Sequence, residues 1–201
     1  MHLANTARDD FRVMRDARTL AEAGFSVTVI DIEEDHSLPR EEEFDGIRVK
    51  HTFVPGWFTP ARFKPWFLIK LIIMFMYCVM RLLKDDADIY HAHVEKALPA
   101  SFVAARLRRK PLIFDAPDLT LSDPSLVRWQ RLRKLSIRFL GLMISRCTAF
   151  VTASPHYAPV LRSLYHASRI TVIRNVPSYR TVNRNDLLRQ HLGLSSDIHI
   201  A

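Results

Sequence analysis

Apolar residues recur at helical spacing in one stretch of the chain and in short β-branched runs in the next, and the two patterns alternate. Residues 10–23 read as a helix. Asp10 stands at the N-cap position, Val13, Ala17 and Leu20 fall on one face, and Gly24 follows the last turn. Residues 25–32, with Val27, Val29 and Ile30, read as a buried strand. The acidic stretch 31–45 reads as loop, and 47–54, which alternates weakly and ends at Pro55-Gly56, as another strand. A long apolar helix is predicted over 65–83, a short strand over 87–91 and an alanine-rich helix over 97–109. A strand over 111–115, a long basic helix over 125–146, a strand over 149–153, a helix over 155–165 and a strand over 170–173 complete the pattern.

Strands alternating with helices form βαβ units. They predict an α/β fold with a Rossmann-like, doubly wound parallel sheet covered on both faces. Ligands of such sheets bind outside the carboxyl ends of the strands, which directs attention to the residues just after each strand. Both ends of the chain depart from the pattern. Only residues 1–4 precede the first loop and helix, so the first strand is expected to be short or missing. Residues 186–192 read as a helix capped by Gly193, and Ile198-His199-Ile200 begins a new apolar run. A Rossmann-like domain is therefore expected over 1–176, followed by a linker and the truncated start of a second domain over 177–201.

Three groups of residues carry candidate chemistry. Asp88-Ile89-Tyr90-His91-Ala92-His93 lies at a strand end, and residues two apart in extended chain share a side. His91 and His93 can there bind hydroxyls, move protons or hold a metal, but no third ligand falls at a convincing spacing and no metal is expected. His93 is expected to stand free in the loop beyond the strand, while His91 reads equally well as structural. Asp115 and Asp118 follow the next strand, where carboxylates can accept from sugar hydroxyls, although Asp and Pro are also ordinary turn residues. Arg8 and Arg12 flank a helix N-terminus, a place that attracts anions. No glycine-rich phosphate fingerprint is present.

These residues occur in an order that resembles the N-terminal domain of family 4-like, GT-B fold glycosyltransferases. The resemblance runs through Arg8-Asp9-Asp10-Phe11-Arg12 to residue 29, Asp88 to His93 with Ala97-Leu98-Pro99-Ala100, residues 111–119, the strand 150–154, and Val172-Ile173-Arg174-Asn175-Val176-Pro177. It implies one half of a GT-B architecture belonging to a retaining transferase. A nucleotide-sugar donor would be held by a C-terminal domain carrying a Glu-x7-Glu pair, and a glycan or lipid-linked acceptor by the part present here. Carried onto this sequence, it marks His91, His93, Asp115, Asp118 and Arg12 for the acceptor, and Ser154 and Asn175 for the cleft between domains. No cofactor is implied. Two departures stand out: Asn5-Thr6-Ala7 replaces the usual glycine-bearing loop, and Pro117 precedes Asp118 where many relatives have histidine. Because the donor-binding half is not among these residues, the chain alone is expected to be inactive. The competing reading is a non-catalytic truncated relative that binds a sugar or anionic ligand at the membrane surface.

The chain of 201 residues has a formal net charge of +8, with 48% hydrophobic residues, which fits a globular domain with a polyanionic partner. No groove-reading module or zinc-finger spacing points to nucleic acid, which is not expected as a partner. Cys78 and Cys147 sit in apolar surroundings without a C-x-x-C pair and read as core residues. The apolar helix over 65–83 is long enough to raise a membrane span, but strands on both sides of it must join one sheet. Lys70, Tyr77, Arg81 and Lys84 are expected on one narrow face of it, and Arg128, Arg131, Lys134 and Arg138 in a basic stripe opposite Leu132, Leu135, Phe139 and Leu142. Lys70, Arg81, Arg128, Arg131 and Arg138 are thus the expected contacts with an anionic membrane surface. No signal peptide is visible, so a cytoplasmic location is expected, with peripheral attachment to the inner face of the membrane.

Overall fold

The computed structural model describes residues 1–56, 64–118, 130–167, 169–176, 181 and 186–195. Helix α1 (Phe11–Glu22) is set by the local signals predicted for it. The Asp10 carboxylate accepts from the Val13 amide at 3.1 Å, a cap contributing about 1 kcal/mol, and Gly24 turns the chain away at φ +89°. Strand β1 (Val27–Glu33) pairs in parallel with β3 (Ile47–Phe53), and β2 (Glu41–Phe44) pairs antiparallel with the outer side of β3. Strands β4 (Tyr90–His93), β5 (Leu112–Ala116), β6 (Ala149–Thr152) and β7 (Thr171–Val172) follow in spatial order and are all parallel.

The N-terminal residues join these two sheets. His2 bridges both Ile30 of β1 and Ala92 of β4. Its amide donates to His91 O at 2.8 Å and its carbonyl accepts from the His93 amide at 3.0 Å, while Leu3 N donates to Ile30 O at 2.9 Å. The first strand is thus very short, as expected, and occupies the centre of the sheet.

The helices pack into two separate cores, one on each side of the sheet. α1 covers one face with Val13 and Ala17 packed on Leu3, Val27, Val29, Ile47 and Val49. The other face carries α2 (Lys64–Lys84), α3 (Val94–Arg108), α4 (Gln130–Ile144) and α5 (Tyr157–Tyr165), whose Cys78, Leu98, Ile144 and Leu161 share one core with Tyr90, Phe114 and Phe150. A last helix, α6 (Leu187–Leu192), ends at Gly193 with φ +63°, as predicted. Among the described residues no helix is long and apolar enough to cross a membrane. Both cysteines are free, and burial pushes the Cys78 thiol up to about 11 and that of Cys147 up to about 12, in keeping with core residues.

Three boundaries differ from the sequence pattern, each for a tertiary reason. Asp31 and Glu33, expected in a loop, end β1 fully or nearly fully buried, because their carboxylates hold neighbouring segments. Asp31 accepts from Ala7 N and contacts His51, and Glu33 accepts from Thr6 Oγ1. Residues 41–44, also expected as loop, form the edge strand β2. In the middle of the sheet β4 starts and ends later than predicted, so that His91 and His93 are both strand residues and α3 begins at once at Val94.

The two candidate membrane helices are rotated from the expected orientation. α2 packs on the sheet through Met74, Cys78 and Leu82, and Lys70 stands one turn earlier on that same ridge, only 7% exposed. Lys70 is therefore not a membrane-surface residue. Trp66, Ile69, Ile72, Met76 and Met80 face outward instead. Arg81 is half-buried, its Nη2 3.5 Å from His51 O. On α4, Leu140, Met143 and Ile144 pack inward, while Leu135, Phe139 and Leu142 are exposed beside Lys134 and Arg138. Arg131 lies in α4, and Arg128 lies outside the described residues.

Candidate functional site

The central strands converge on one buried cluster. Tyr90 and Ala92 of β4 point into the core, so His91 and His93 point to the opposite face, where β5 places Asp115 in register with His93. The two imidazole rings lie 4.1 Å apart between centroids, tilted by 34°, and His93 Nδ1 is 3.4 Å from Asp115 Oδ2. From α1 above, Arg12 forks onto the same carboxylate: Nε donates to Oδ2 and Nη2 to Oδ1, each at 3.0 Å. Its Nη1 donates to Ile173 O at 3.2 Å, past the end of β7. Arg12 and Asp115 are 7% and 0% exposed at the side chain, so this is a fully desolvated bidentate pair.

Electrostatics follow from that burial. His91 is held well below the usual histidine range, first by desolvation and then by the neighbouring His93 and Arg12 charges, so it is neutral near pH 7. Burial raises the Asp16 carboxyl on the next turn of α1, although Arg12 and His93 pull it down. His91, His93 and Asp115 converge closely enough to hold a metal ion, but the Arg12 guanidinium already engages both Asp115 oxygens. With Arg12 these residues form a buried floor whose ion pair is Arg12–Asp115.

A second convergence, Asp31, Glu33 and His51, is likewise committed to structure. His51 lies between Asp31 (2.9 Å) and Glu42 (3.0 Å), and Asp31 and Glu33 hold Ala7 and Thr6. The loop 5–7 is kept in place by these carboxylates.

Above the floor, at the carboxyl edge of the sheet, lies an open cleft of about 770 Å³. Four predicted residues line it: Arg12, Asp118, Ser154 and Asn175. Asp118 and Asn175 are exposed. Asn175 Oδ1 accepts from Arg15 Nη1 at 3.0 Å, and the same nitrogen donates to Val176 O at 2.8 Å, so α1 also fastens the segment after β7. Ser154 Oγ accepts from His156 N at 3.2 Å where α5 begins. The three other predicted residues, His91, His93 and Asp115, lie beneath the cleft and do not line it. His93 is 2% exposed, so its imidazole is not free in a loop as expected: register with β5 draws it into the sheet.

Sequence reasoning missed Asn5, Asp10, His156 and Arg174 as cleft residues. Arg174 lies next to Asn175 in a segment already singled out, and Asp10 was visible only as a helix cap. Val94 also lines the cleft, with φ +61°, a left-handed conformation costly for a β-branched residue. Val94→Gly is expected to raise stability by about 1 kcal/mol, relief of the left-handed strain outweighing glycine's entropy. A urea midpoint that falls instead would show that contacts of the valine side chain hold the turn.

The floor and most of the cleft lie within the span of a sequence match. Residues 12–176, from Arg12 at the floor to Val176 at the rim, match the profile of Glycosyltransferase Family 4. The chain belongs to glycosyltransferase family 4. The fold of this family 4 domain resembles two chains of the sucrose-phosphate synthase of Thermosynechococcus elongatus. One matches with a TM-score of 0.62 and 12% identity, over 96% of this chain and 93% of that one. The other matches with a TM-score of 0.66 and 15% identity, over 98% of this chain and 49% of that one. The family 4 domain thus spans about half the length of the longer chain, with the fold of one Rossmann-like GT-B half. No curated protein matches the sequence.

Proposed function

We propose that this family 4 domain is the acceptor-side half of a retaining glycosyltransferase that moves a sugar from a nucleotide-sugar donor to a glycan or lipid-linked acceptor. The observation that carries this reading is the cleft at the carboxyl edge of the parallel sheet, where Arg12, Asp118, Ser154 and Asn175 stand together. Such an edge is where sheets of this kind bind ligands. Asp118 and Asn175 supply acceptors and a carboxamide donor for hydroxyls, and Arg174 adds an exposed cation for an anionic group. Asp115 acts from below by orienting Arg12, with His93 beside the same carboxylate. In this reading a second, donor-binding domain follows residues 177–201 and carries the carboxylates of the reaction, and the enzyme works at the cytoplasmic face of an anionic membrane.

This polypeptide alone is expected to bind acceptor without transferring sugar. Purified chain, incubated with a panel of nucleotide sugars and candidate acceptors, should release no nucleoside diphosphate. Fusion to a family 4 donor domain should restore release, and Asp118→Ala in the fusion should raise the acceptor KM about tenfold or more, the loss of one hydrogen bond to a charged group. Robust turnover by the chain alone, or unchanged kinetics in the Asp118 variant, would overturn the assignment.

A further inference from the structure

The helical face remote from α1 has a charge distribution the cleft does not use. Its four helices, α2 to α5, carry twelve lysines and arginines and one acidic residue, Glu95, which is buried. Eight of the chain's 21 acidic residues are instead collected in residues 31–45, from the end of β1 through the edge strand β2. The excess positive charge of the molecule is therefore gathered on one layer of packed helices.

That same layer exposes apolar side chains that a solvated surface does not need. On α2, Trp66, Ile72, Met76 and Met80 are 53%, 54%, 48% and 52% exposed, and on α4 Leu135 and Phe139 are 65% and 52% exposed. α3 lies between these two helices and packs on both. On α4 the exposed apolar residues alternate with exposed Lys134 and Arg138. Beside α2 a groove of about 320 Å³, lined by Phe53, Ile72, Ile73, Met76 and Met80, opens outward.

We propose that the outer face of α2, α3 and α4 docks on an anionic lipid bilayer, with the apolar side chains of α2 and α4 entering the acyl boundary and the surrounding lysines and arginines meeting the headgroups. The inference rests on the membrane location in the proposed function and assigns it to a surface. Charge complementarity selects the occupant: cations interleaved with exposed aliphatic and aromatic side chains suit an interface charged at its rim and apolar just beneath. A nucleic acid would use the charges and leave Ile72, Met76 and Met80 in water. The basic residues alone do not account for the surface, since Lys70, the cation expected at its centre, is buried while its apolar neighbours are exposed.

The test is co-sedimentation of the full chain with phosphatidylcholine vesicles, with and without phosphatidylglycerol, in the absence of any donor or acceptor. Binding is expected to the anionic vesicles and to fall as salt rises, as screening shortens the reach of the charges. Ile72→Ser/Met76→Ser/Met80→Ser and Lys134→Glu/Arg138→Glu are each expected to weaken binding about tenfold or more. These are exposed positions, so melting temperatures should stay close to that of the parent chain and exclude misfolding as the cause. The proposal is overturned by absence of binding to anionic vesicles at low salt. It is also overturned by full binding of the apolar triple variant, or by a stable dimer in sedimentation equilibrium that the same triple variant dissolves. Sugar transfer is measured separately in the fused enzyme on a water-soluble acceptor, so a failure of membrane docking and a failure of the transferase reading give different results.

Discussion

Replacing Arg12 with alanine is expected to lower stability by about 3–5 kcal/mol, because it leaves the Asp115 carboxylate buried without its partner. Both oxygens of Asp115 lose their donors at once, since the guanidinium forks onto them at 3.0 Å. Arg12→Lys should recover only part of the loss, because an ammonium cannot reproduce the fork. The double change Arg12→Met/Asp115→Leu should restore most of it, as paired apolar residues of similar volume often replace a buried ion pair at little cost. Urea unfolding of the three variants measures the coupling. A loss below about 1 kcal/mol for Arg12→Ala would show that water reaches Asp115 and that the cleft floor is open. Local effects follow from Nη1, which holds Ile173 O. In Arg12→Lys, hydrogen exchange of the segment after β7 should accelerate before the core does, because that tie and the Arg15 contacts are what fasten it.

The order of strands and helices was legible in the sequence because the hydrophobic period changes at each boundary. The opening helix, its Asp10 cap and its Gly24 stop are local events, and they appear where local chemistry puts them. What local pattern could not show was the direction in which a side chain faces once several elements share it. Lys70 looks like a surface cation by type, yet it stands on the ridge that contains Met74, Cys78 and Leu82. Asp31 and Glu33 look like loop acids, yet their partners Ala7, Thr6 and His51 are more than fifteen residues away. The candidate site divides in the same manner. Arg12, Asp118, Ser154 and Asn175 meet at the cleft because they follow strands or open helices, a rule of topology that sequence order carries. His93 was misplaced by one structural step: its register with Asp115 extends β4 by the two residues that turn an exposed imidazole into a buried one.

Acidification is expected to unfold the domain in the window between pH 6.5 and about 4, by a route that starts at the seam of the two sheets. His2 is 3% exposed, with Nδ1 2.9 Å from Ser101 Oγ and 3.2 Å from Ala97 O, and burial lowers its pKa from 6.5 to about 4. His91, beside it in the sheet, is lowered well below 6.5 by the same cause. Both imidazoles are therefore neutral in the folded chain, whereas in the unfolded chain they take up protons as pH falls through 6.5. The unfolded state binds more protons throughout that window, so stability rises with pH there and is lost on acidification. For His2 alone the full loss, reached near pH 4, is on the order of 3 kcal/mol at 1.36 kcal/mol per unit. Asp16 and Asp31, whose carboxyls burial raises, act in the opposite sense and offset part of the loss at the acid end. The location of His2 sets what opens first: its backbone carries the bridges to Ile30 and Ala92, and His93 N donates to its carbonyl. Charging its ring thus loosens the contact between β1 and β4, directly beneath Arg12 and Asp115. Urea midpoints measured at several pH values should fall through the window. In His2→Asn, which keeps a short polar group near Ser101 and has no proton to gain, the pH dependence should flatten even if the midpoint at neutral pH is lower. An equally steep pH dependence in that variant would remove His2 as the origin of the acid sensitivity.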